Sequence, residues 1–263
     1  MHHFGLHAEQ QVTIKSTGPT TLPTDAPISI SELLSGYVEL AQPVTRKNLH
    51  VLSDLTTEDA TRSTLELMAT TGYQVVFDRR LSVLDVLEAH PNITLPFGAF
   101  IKMLPSMRAR QYSISSSPLW NAEHATLTIS VVDAPALAGH GGKFLGVASN
   151  YLANLEPGDH VAMAVRPATA NFRLPEPETP IVMFCAGAGL APMRGFIQER
   201  AAQLESGRTV GKTLLFVGCR TPSDDYLYAE NDLKEWIAAG AVEVRPAFSR
   251  KAEESGGCKY VQE

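Results

Sequence analysis

The feature that most restricts the fold is an apolar run ending in a glycine turn. Ile181-Val-Met-Phe-Cys-Ala186 leads directly into Gly187-Ala-Gly189 and then Leu190-Ala-Pro-Met-Arg-Gly195. The first part of this short apolar run, Ile181 to Phe184, reads as a buried strand. Buried parallel strands need crossover connections, usually helices. The residues that follow supply them: a helix over 192–204, a strand over 213–218, a helix over 227–239 and a strand over 242–247. This βαβαβ order predicts half of a doubly wound parallel sheet. At its first turn, glycine lets the backbone approach a ligand closely, and the amides of a following helix favour a phosphate. Pro192 suits the first turn of that helix. The turn is not the dinucleotide GxGxxG, because Pro192 occupies the third glycine position.

Upstream, Leu174-Pro-Glu-Pro-Glu-Thr-Pro180 reads as a linker, since its three prolines fit neither a helix nor a central strand. Residues 112–116, 125–132 and 160–165 are β-rich, two of them alternating. A Gly139-His-Gly-Gly142 turn, a short helix over 149–155 and a turn at 156–159 lie between them. That spacing predicts a small antiparallel barrel. Residues 27–107 are helical in pattern. Ser29 or Ser31 is placed to cap a helix carrying Leu33, Leu34 and Tyr37; another helix covers 57–71; Ser82 caps one over 83–89; a short one covers 97–104. A short strand at 11–15 precedes them. The expected fold class is therefore α/β and β: an antiparallel barrel with a helical insertion, then a doubly wound parallel-sheet domain. Residues 1–27 form a partial barrel segment, 28–107 the insertion, 108–174 the barrel and 175–263 the α/β domain.

Composition removes several functional classes. With 44% hydrophobic and 19% charged residues, the chain has material for true cores. Its longest apolar runs fall far below the ~20 residues a membrane helix needs, and no basic start followed by an apolar stretch marks a secretory leader. Cys185, Cys219 and Cys258 lie far apart and without CxxC spacing, which suits a reducing, cytoplasmic compartment. A net charge of −6 disfavours nucleic acid as a partner. Eight histidines include no metal-ligand spacing, so no metal is expected. No Gly-x-Ser-x-Gly elbow supports a hydrolase.

Four groups of residues carry candidate chemistry. In Arg110-Gln-Tyr-Ser113, the guanidinium of Arg110 can pair with a pyrophosphate, Tyr112 can stack on a flat ring, and Ser113 offers a hydroxyl. Gly146-Val-Ala-Ser149 places a glycine at a turn into a helix, where free amides suit an anion. Gly187, Ala188 and Gly189 form the turn described above. Ser249 and Arg250 follow the third strand of the second lobe, at the carboxyl edge where open parallel sheets hold ligands. An arginine there suits a ribose 2′-phosphate.

Together these residues resemble the diflavin reductase family of the NADPH–haemoprotein reductase type. The likeness is greatest to the reductase portion of microbial and fungal self-sufficient fatty-acid monooxygenases, and it runs from about residue 4 to 263. It implies an FAD site made of Arg110, Tyr112 and Ser113, of Thr128, Ile129 and Ser130 on a strand, and of Gly146, Val147, Ala148 and Ser149 at the pyrophosphate. It implies an NADP site made of Gly187, Ala188 and Gly189 with Ala191 and Pro192, and of Ser249, Arg250, Lys259, Tyr260 and Gln262 around the 2′-phosphate and adenosine. Ser113 is the implied catalytic residue, assisting the hydride step. The implied path runs from NADPH through FAD to an FMN module and then a haem acceptor. Sulfite-reductase and nitric-oxide-synthase type reductases share these motifs and differ in partner; a non-catalytic flavin-binding fragment is the rival of another class. Residues 28–107 resemble the family's connecting insertion. Two positions depart from its pattern: Ala188 stands where threonine is usual, and Lys259 lies one place late. Phe4-Gly-Leu6 matches a point inside the family's FAD domain and Val261-Gln-Glu263 a point just after the clamp. The likeness thus implies an internal piece of a longer reductase, with slow turnover on its own.

Overall fold

The computed structural model describes residues 2–139, 141–168 and 172–263. His140, in the expected glycine-rich turn, lies outside the described residues, as do 169–171 in the expected barrel stretch. The chain divides into two units: Met1–Arg110 with Asp133–Leu145, and Gln111–Val132 with Gly146–Glu263.

The first unit is built from short helices that cap themselves. β1 (Gln11–Thr13) pairs antiparallel with β2 (Pro27–Ser29), setting Val12 opposite Ile28. Ser29 then caps α1 (Ile30–Gly36), its hydroxyl accepting from the Glu32 amide at 3.1 Å. α2 (Arg46–Asp54) is capped by Thr45 in the same way. α3 (Asp59–Ala69) and α4 (Tyr73–Asp78) follow. α5 (Val83–Ala89) begins with a capping box in which Ser82 and Asp85 satisfy each other's amides. α6 (Phe97–Met103) ends the series. These helices are too short to persist alone. They are held by one core that includes Leu33, Leu49, Leu52, Leu65, Leu87 and Phe100. α2 and α4 were not anticipated from the sequence. β3 (Asp133–Pro135) and β4 (Lys143–Leu145) form an exposed antiparallel pair.

The second unit opens irregularly. Residues 112–116 and 125–132 do not form the strands expected of them: one antiparallel bridge joins Ile114 to Leu127, and the Ser115 amide donates to the Thr126 carbonyl at 2.8 Å. Residues 160–165 are likewise irregular and largely exposed, with Met163 and Val165 about three-quarters accessible. Among the described residues no closed barrel forms. β-propensity measures how a side chain fits a sheet that already has partners, and the described residues give these segments no continuous ladder. α7 (Val147–Ala153) follows in place of the expected 149–155 helix.

Beyond it the βαβαβ pattern is observed. β5 (Ile181–Ala186), α8 (Leu190–Glu205), β6 (Thr213–Cys219), α9 (Asp232–Ala238) and β7 (Glu243–Phe248) give a parallel sheet in the order β5-β6-β7. Ile181 lies opposite Thr213, and Leu214 opposite Glu243. One face packs Met183, Leu215 and Val217 against Leu190, Ile197 and Leu233. On the other, Val182 and Phe184 stay more than half exposed, so β5 is not the buried strand expected: the helices cover one face only; Phe184 stacks on Phe216 at 4.8 Å. α9 starts five residues later than expected because Tyr228 takes φ +62°, which no right-handed helix admits.

The proline-rich stretch before β5 is tied down rather than loose. Arg200 of α8, fully buried, donates to the carbonyls of Thr179 (2.6 Å) and Gly211 (2.9 Å) and to the Thr213 hydroxyl (3.0 Å). Burial pushes its pKa down. A methyl on Gly211 would lie 2.3 Å from the Glu178 carbonyl oxygen, so only glycine lets these two segments approach.

Candidate functional site

The carboxyl edge of the parallel sheet collects one set of candidate residues. β5 ends at Ala186, and Gly187 turns the chain at φ +51° into a short 3₁₀ turn over Gly187–Gly189. Among the described residues, nothing lies within 4 Å of where a Gly187 Cβ would stand, and no side chain caps α8 behind it. Open backbone at an uncapped helix start is the form of a phosphate cradle. β7 extends past its end: the Ser249 and Arg250 amides donate to the Cys219 and Arg220 carbonyls at 2.9 Å each. Ser255 then folds the chain back, its hydroxyl accepting from the Phe248 amide and donating to the Cys258 carbonyl. That return sets Val261 over Gly218, where a Cβ would sit 3.2 Å from Val261 Cγ1 and 3.5 Å from Ala186 Cβ. Gly187, Ala188 and Gly189, the pair Ser249 and Arg250, and the segment with Lys259, Tyr260 and Gln262 thus meet the same sheet edge. Lys259 Nζ lies 5.5 Å from the Tyr260 ring centre. Arg250 is exposed, and its guanidinium has no ion pair among the described residues.

The thiols at this edge are protected. Burial, reinforced by the nearby Cys219, pushes the Cys185 pKa up to about 12. Burial and the Asp225 carboxylate push Cys219 up to about 11. Burial alone would raise Asp225 too. The Arg220 side chain at 3.0 Å and the Arg220 and Thr221 amides together outweigh it and hold that carboxylate below its ordinary range.

A second set lies elsewhere in the same unit. Tyr112 is half-buried; Ser113 is exposed, its hydroxyl unspent among the described residues. Thr128 Oγ1 bonds the Tyr228 hydroxyl at 2.7 Å, with Ile129 half-buried and Ser130 exposed beside it. Gly146, Val147, Ala148 and Ser149 form the turn into α7. A Cβ on Gly146 would lie 2.7 Å from Ser149 Oγ and 2.8 Å from Val132 Cβ, so glycine here serves close packing. Ser149 Oγ accepts from the Val132 amide at 3.1 Å, which holds the end of the 125–132 segment to this turn.

Arg110 belongs to the first unit. Its Nη2 meets Glu39 Oε1 at 2.7 Å and its Nη1 donates to the Arg108 carbonyl at 2.5 Å. Two of its five N–H donors are spent and the others remain. The donor set suits a pyrophosphate.

Two residues escaped sequence reasoning. Glu39 is 69 residues from Arg108 and 71 from Arg110, and nothing local marks it. Arg194 stands inside the glycine-turn motif, where the sequence gives it no role of its own. It is buried: it forks onto Asp232 Oδ2 (Nε at 2.7 Å, with Nη2 on the same oxygen), and donates to the Ser115 carbonyl and to Thr126 Oγ1. Its guanidinium lies 4.6 Å from the Tyr228 ring centre and 5.6 Å from that of Trp236.

Comparison with known proteins gives two domain matches. Residues 1–151 match the family described as FAD binding domain, and residues 183–263 the one described as oxidoreductase NAD-binding domain. A self-sufficient cytochrome P450 monooxygenase of Phanerodontia chrysosporium is 58% identical over 99% of this chain and 25% of its own length. A bifunctional cytochrome P450/NADPH–P450 reductase of Fusarium oxysporum is 48% identical over 99% of this chain and 24% of its own. The chain spans about a quarter of the length of the curated relatives it matches.

Proposed function

From the premise that the chain belongs to the FAD binding domain family, with an oxidoreductase NAD-binding domain behind it, we propose that it is the FAD- and NADPH-handling portion of a flavoprotein reductase fused to a haem monooxygenase. The observation that carries the reading is the sheet edge where, among the described residues, the open Gly187 turn leads into a helix with no side-chain cap and the exposed Arg250 guanidinium has no ion pair. When bound, FAD supplies the redox chemistry, accepting a hydride from NADPH and releasing electrons singly. The chain binds and orients. Gly187, Ala188 and Gly189 with α8 hold the NADPH pyrophosphate; Ser249, Arg250, Lys259, Tyr260 and Gln262 hold its 2′-phosphate end. Within the first unit Arg110 offers donors suited to the FAD pyrophosphate; within the second, the turn of Gly146, Val147, Ala148 and Ser149 offers amides suited to the same group. Tyr112 stacks on the flavin beside Thr128, Ile129 and Ser130, and Ser113 offers its hydroxyl at the hydride step. The onward path of this reading runs to an FMN module, as the resemblance to diflavin reductases implies, and to a haem domain, the partner suggested by the cytochrome P450 named in the fused relatives.

We infer the finer fold in the same terms: a partial FAD-barrel segment over 1–27, the connecting insertion over 28–107, the antiparallel barrel over 108–174 and the doubly wound domain over 175–263. The Ile114–Leu127 bridge, the β3–β4 pair and the β5-β6-β7 order support it. Among the described residues no helix is long and apolar enough to cross a membrane. Three free cysteines support a reducing, cytoplasmic setting.

The test is nucleotide selectivity. The chain is expected to bind 2′,5′-ADP about 10–100-fold more tightly than 5′-AMP, the worth of one charge-assisted contact. Arg250→Ala should erase most of that ratio. Equal affinity of the unaltered chain for both nucleotides would sink the assignment of this edge. A second expectation concerns the flavin: reconstituted protein should retain FAD, and Tyr112→Ala should weaken retention by roughly 1–3 kcal/mol, as for stacking on a flat base. Retention unchanged by the substitution would remove Tyr112 from the site.

A further inference from the structure

We propose that Glu39 is a positioning residue for the flavin dinucleotide, its buried carboxylate holding the Arg110 guanidinium in the orientation that meets the FAD pyrophosphate. The inference rests on the reading of Arg110 as a pyrophosphate contact and names what prepares that contact. Backbone pairing places the acid. Val38 bridges to Ser106, the Glu39 amide donates to the Pro105 carbonyl at 2.9 Å, and the Met107 amide donates to the Tyr37 carbonyl at 2.8 Å. Residues 37–39 are thereby clamped to 105–107, immediately before the arginine. The Glu39 side chain is 8% exposed, a rare setting for an unpaired acid, and its Oε1 takes Arg110 Nη2 at 2.7 Å and the Arg108 amide at 3.3 Å. The Arg108 carbonyl receives the other terminal nitrogen of Arg110. Both anchors lie on the protein side, and the guanidinium remains 37% exposed with donors to spare.

The surroundings suit an anionic ligand. An open cavity of about 370 Å³ is lined by Glu39, Gln42, Pro105, Arg108, Ala109 and Arg110. Arg108 is exposed on it, with no side-chain partner among the described residues. The buried acid meets one guanidinium only, so a positive charge remains on Arg108 for a phosphate, and the pairing removes rotamer freedom that Arg110 would otherwise lose on binding.

FAD and riboflavin separate the possibilities, because riboflavin carries the flavin ring without phosphate. Affinities are measured by fluorescence for the whole chain and its variants. Freezing one long side chain is worth about two- to tenfold in affinity, so Glu39→Ala should weaken FAD by about that factor and leave riboflavin within about twofold. Glu39→Gln keeps an acceptor oxygen in place and should restore FAD to within about threefold of the parent. Combining Glu39→Ala with Arg110→Ala should be no worse than Arg110→Ala alone, since both act through one contact. Should Glu39→Ala fail to fold, Glu39→Asp, which withdraws the carboxylate by one methylene, is expected to weaken FAD and spare riboflavin. FAD binding unchanged or tightened in Glu39→Ala, or unchanged in Glu39→Asp, overturns the positioning role. FAD binding unchanged in Arg110→Ala overturns instead the reading on which that role rests.

Discussion

Arg194→Ala is expected to cost the second unit about 3 kcal/mol of stability, the lower range for breaking a buried ion pair from one side. The guanidinium is 11% exposed and Asp232 27%. Removing it strands the Asp232 carboxylate, leaves the Ser115 carbonyl without its donor and strips the cation from the Tyr228 and Trp236 rings. Only a planar fork serves all these partners, so Arg194→Lys should recover less than half of the loss. Arg194→Met paired with Asp232→Leu, which removes both charges, should recover most of it. Urea unfolding followed by tryptophan fluorescence reads all three, with Trp236 as a reporter at the site. Unfolding midpoints of Arg194→Ala that coincide with the parent would show that this contact holds nothing.

The two thiols at the sheet edge, Cys219 buried and Cys185 half-buried, give the other large effect. An ordinary thiol of pKa 9.0 is about one-tenth ionised at pH 8, whereas Cys219 at about 11 and Cys185 at about 12 are ionised roughly 10⁻³ and 10⁻⁴ of the time. Iodoacetamide at pH 8 should therefore alkylate Cys219 about 100-fold and Cys185 about 1,000-fold more slowly than an ordinary thiol, as read site by site in peptide masses. The same shifts tie stability to pH. Below pH 9 both states keep these protons. Between pH 9 and about 11–12 the unfolded chain loses them first, so stability falls as pH rises, by at most about 1.4 kcal/mol per thiol per pH unit. Rapid labelling at pH 8, or stability flat to pH 11, would contradict the burial of this pair.

The parts of the fold legible in sequence were those whose signals are local. Ser82 and Asp85 announce a helix start three residues apart, and the Ile181–Ala186 run with its glycines announces a strand and turn, though not that only one face of the strand is buried. α2 carried the same kind of signal, a Thr45 cap before Leu49 and Leu52, and was overlooked. Residues 112–116 and 125–132 were read as full strands because β-rich composition does not reveal whether a partner exists; only the Ile114–Leu127 bridge does. The candidate site shows the same limit. Gly187, Ser249 and Arg250 stood out by their place after strands. Glu39 and the burial of Arg194 depend on partners tens of residues away, which no periodicity reports.

The linkage of the 111–132 segment to distant helices also sets a timetable for synthesis. Ser115 is 79 residues from Arg194, and Thr128 is 100 from Tyr228. At about 5–20 residues per second, a ribosome delivers those partners roughly 4–20 s after the segment itself emerges. The intervening piece needs no such delay: the Ala138 carbonyl takes the Arg79 side chain at 2.7 Å, and Arg79 has been made long before. A β-prone stretch carrying Ile114, Leu127 and Val131 thus spends that time with only its own Ile114–Leu127 bridge, before the Arg194 and Tyr228 contacts exist. Apolar side chains exposed in such an interval favour association, so aggregation during synthesis is expected to begin from this stretch.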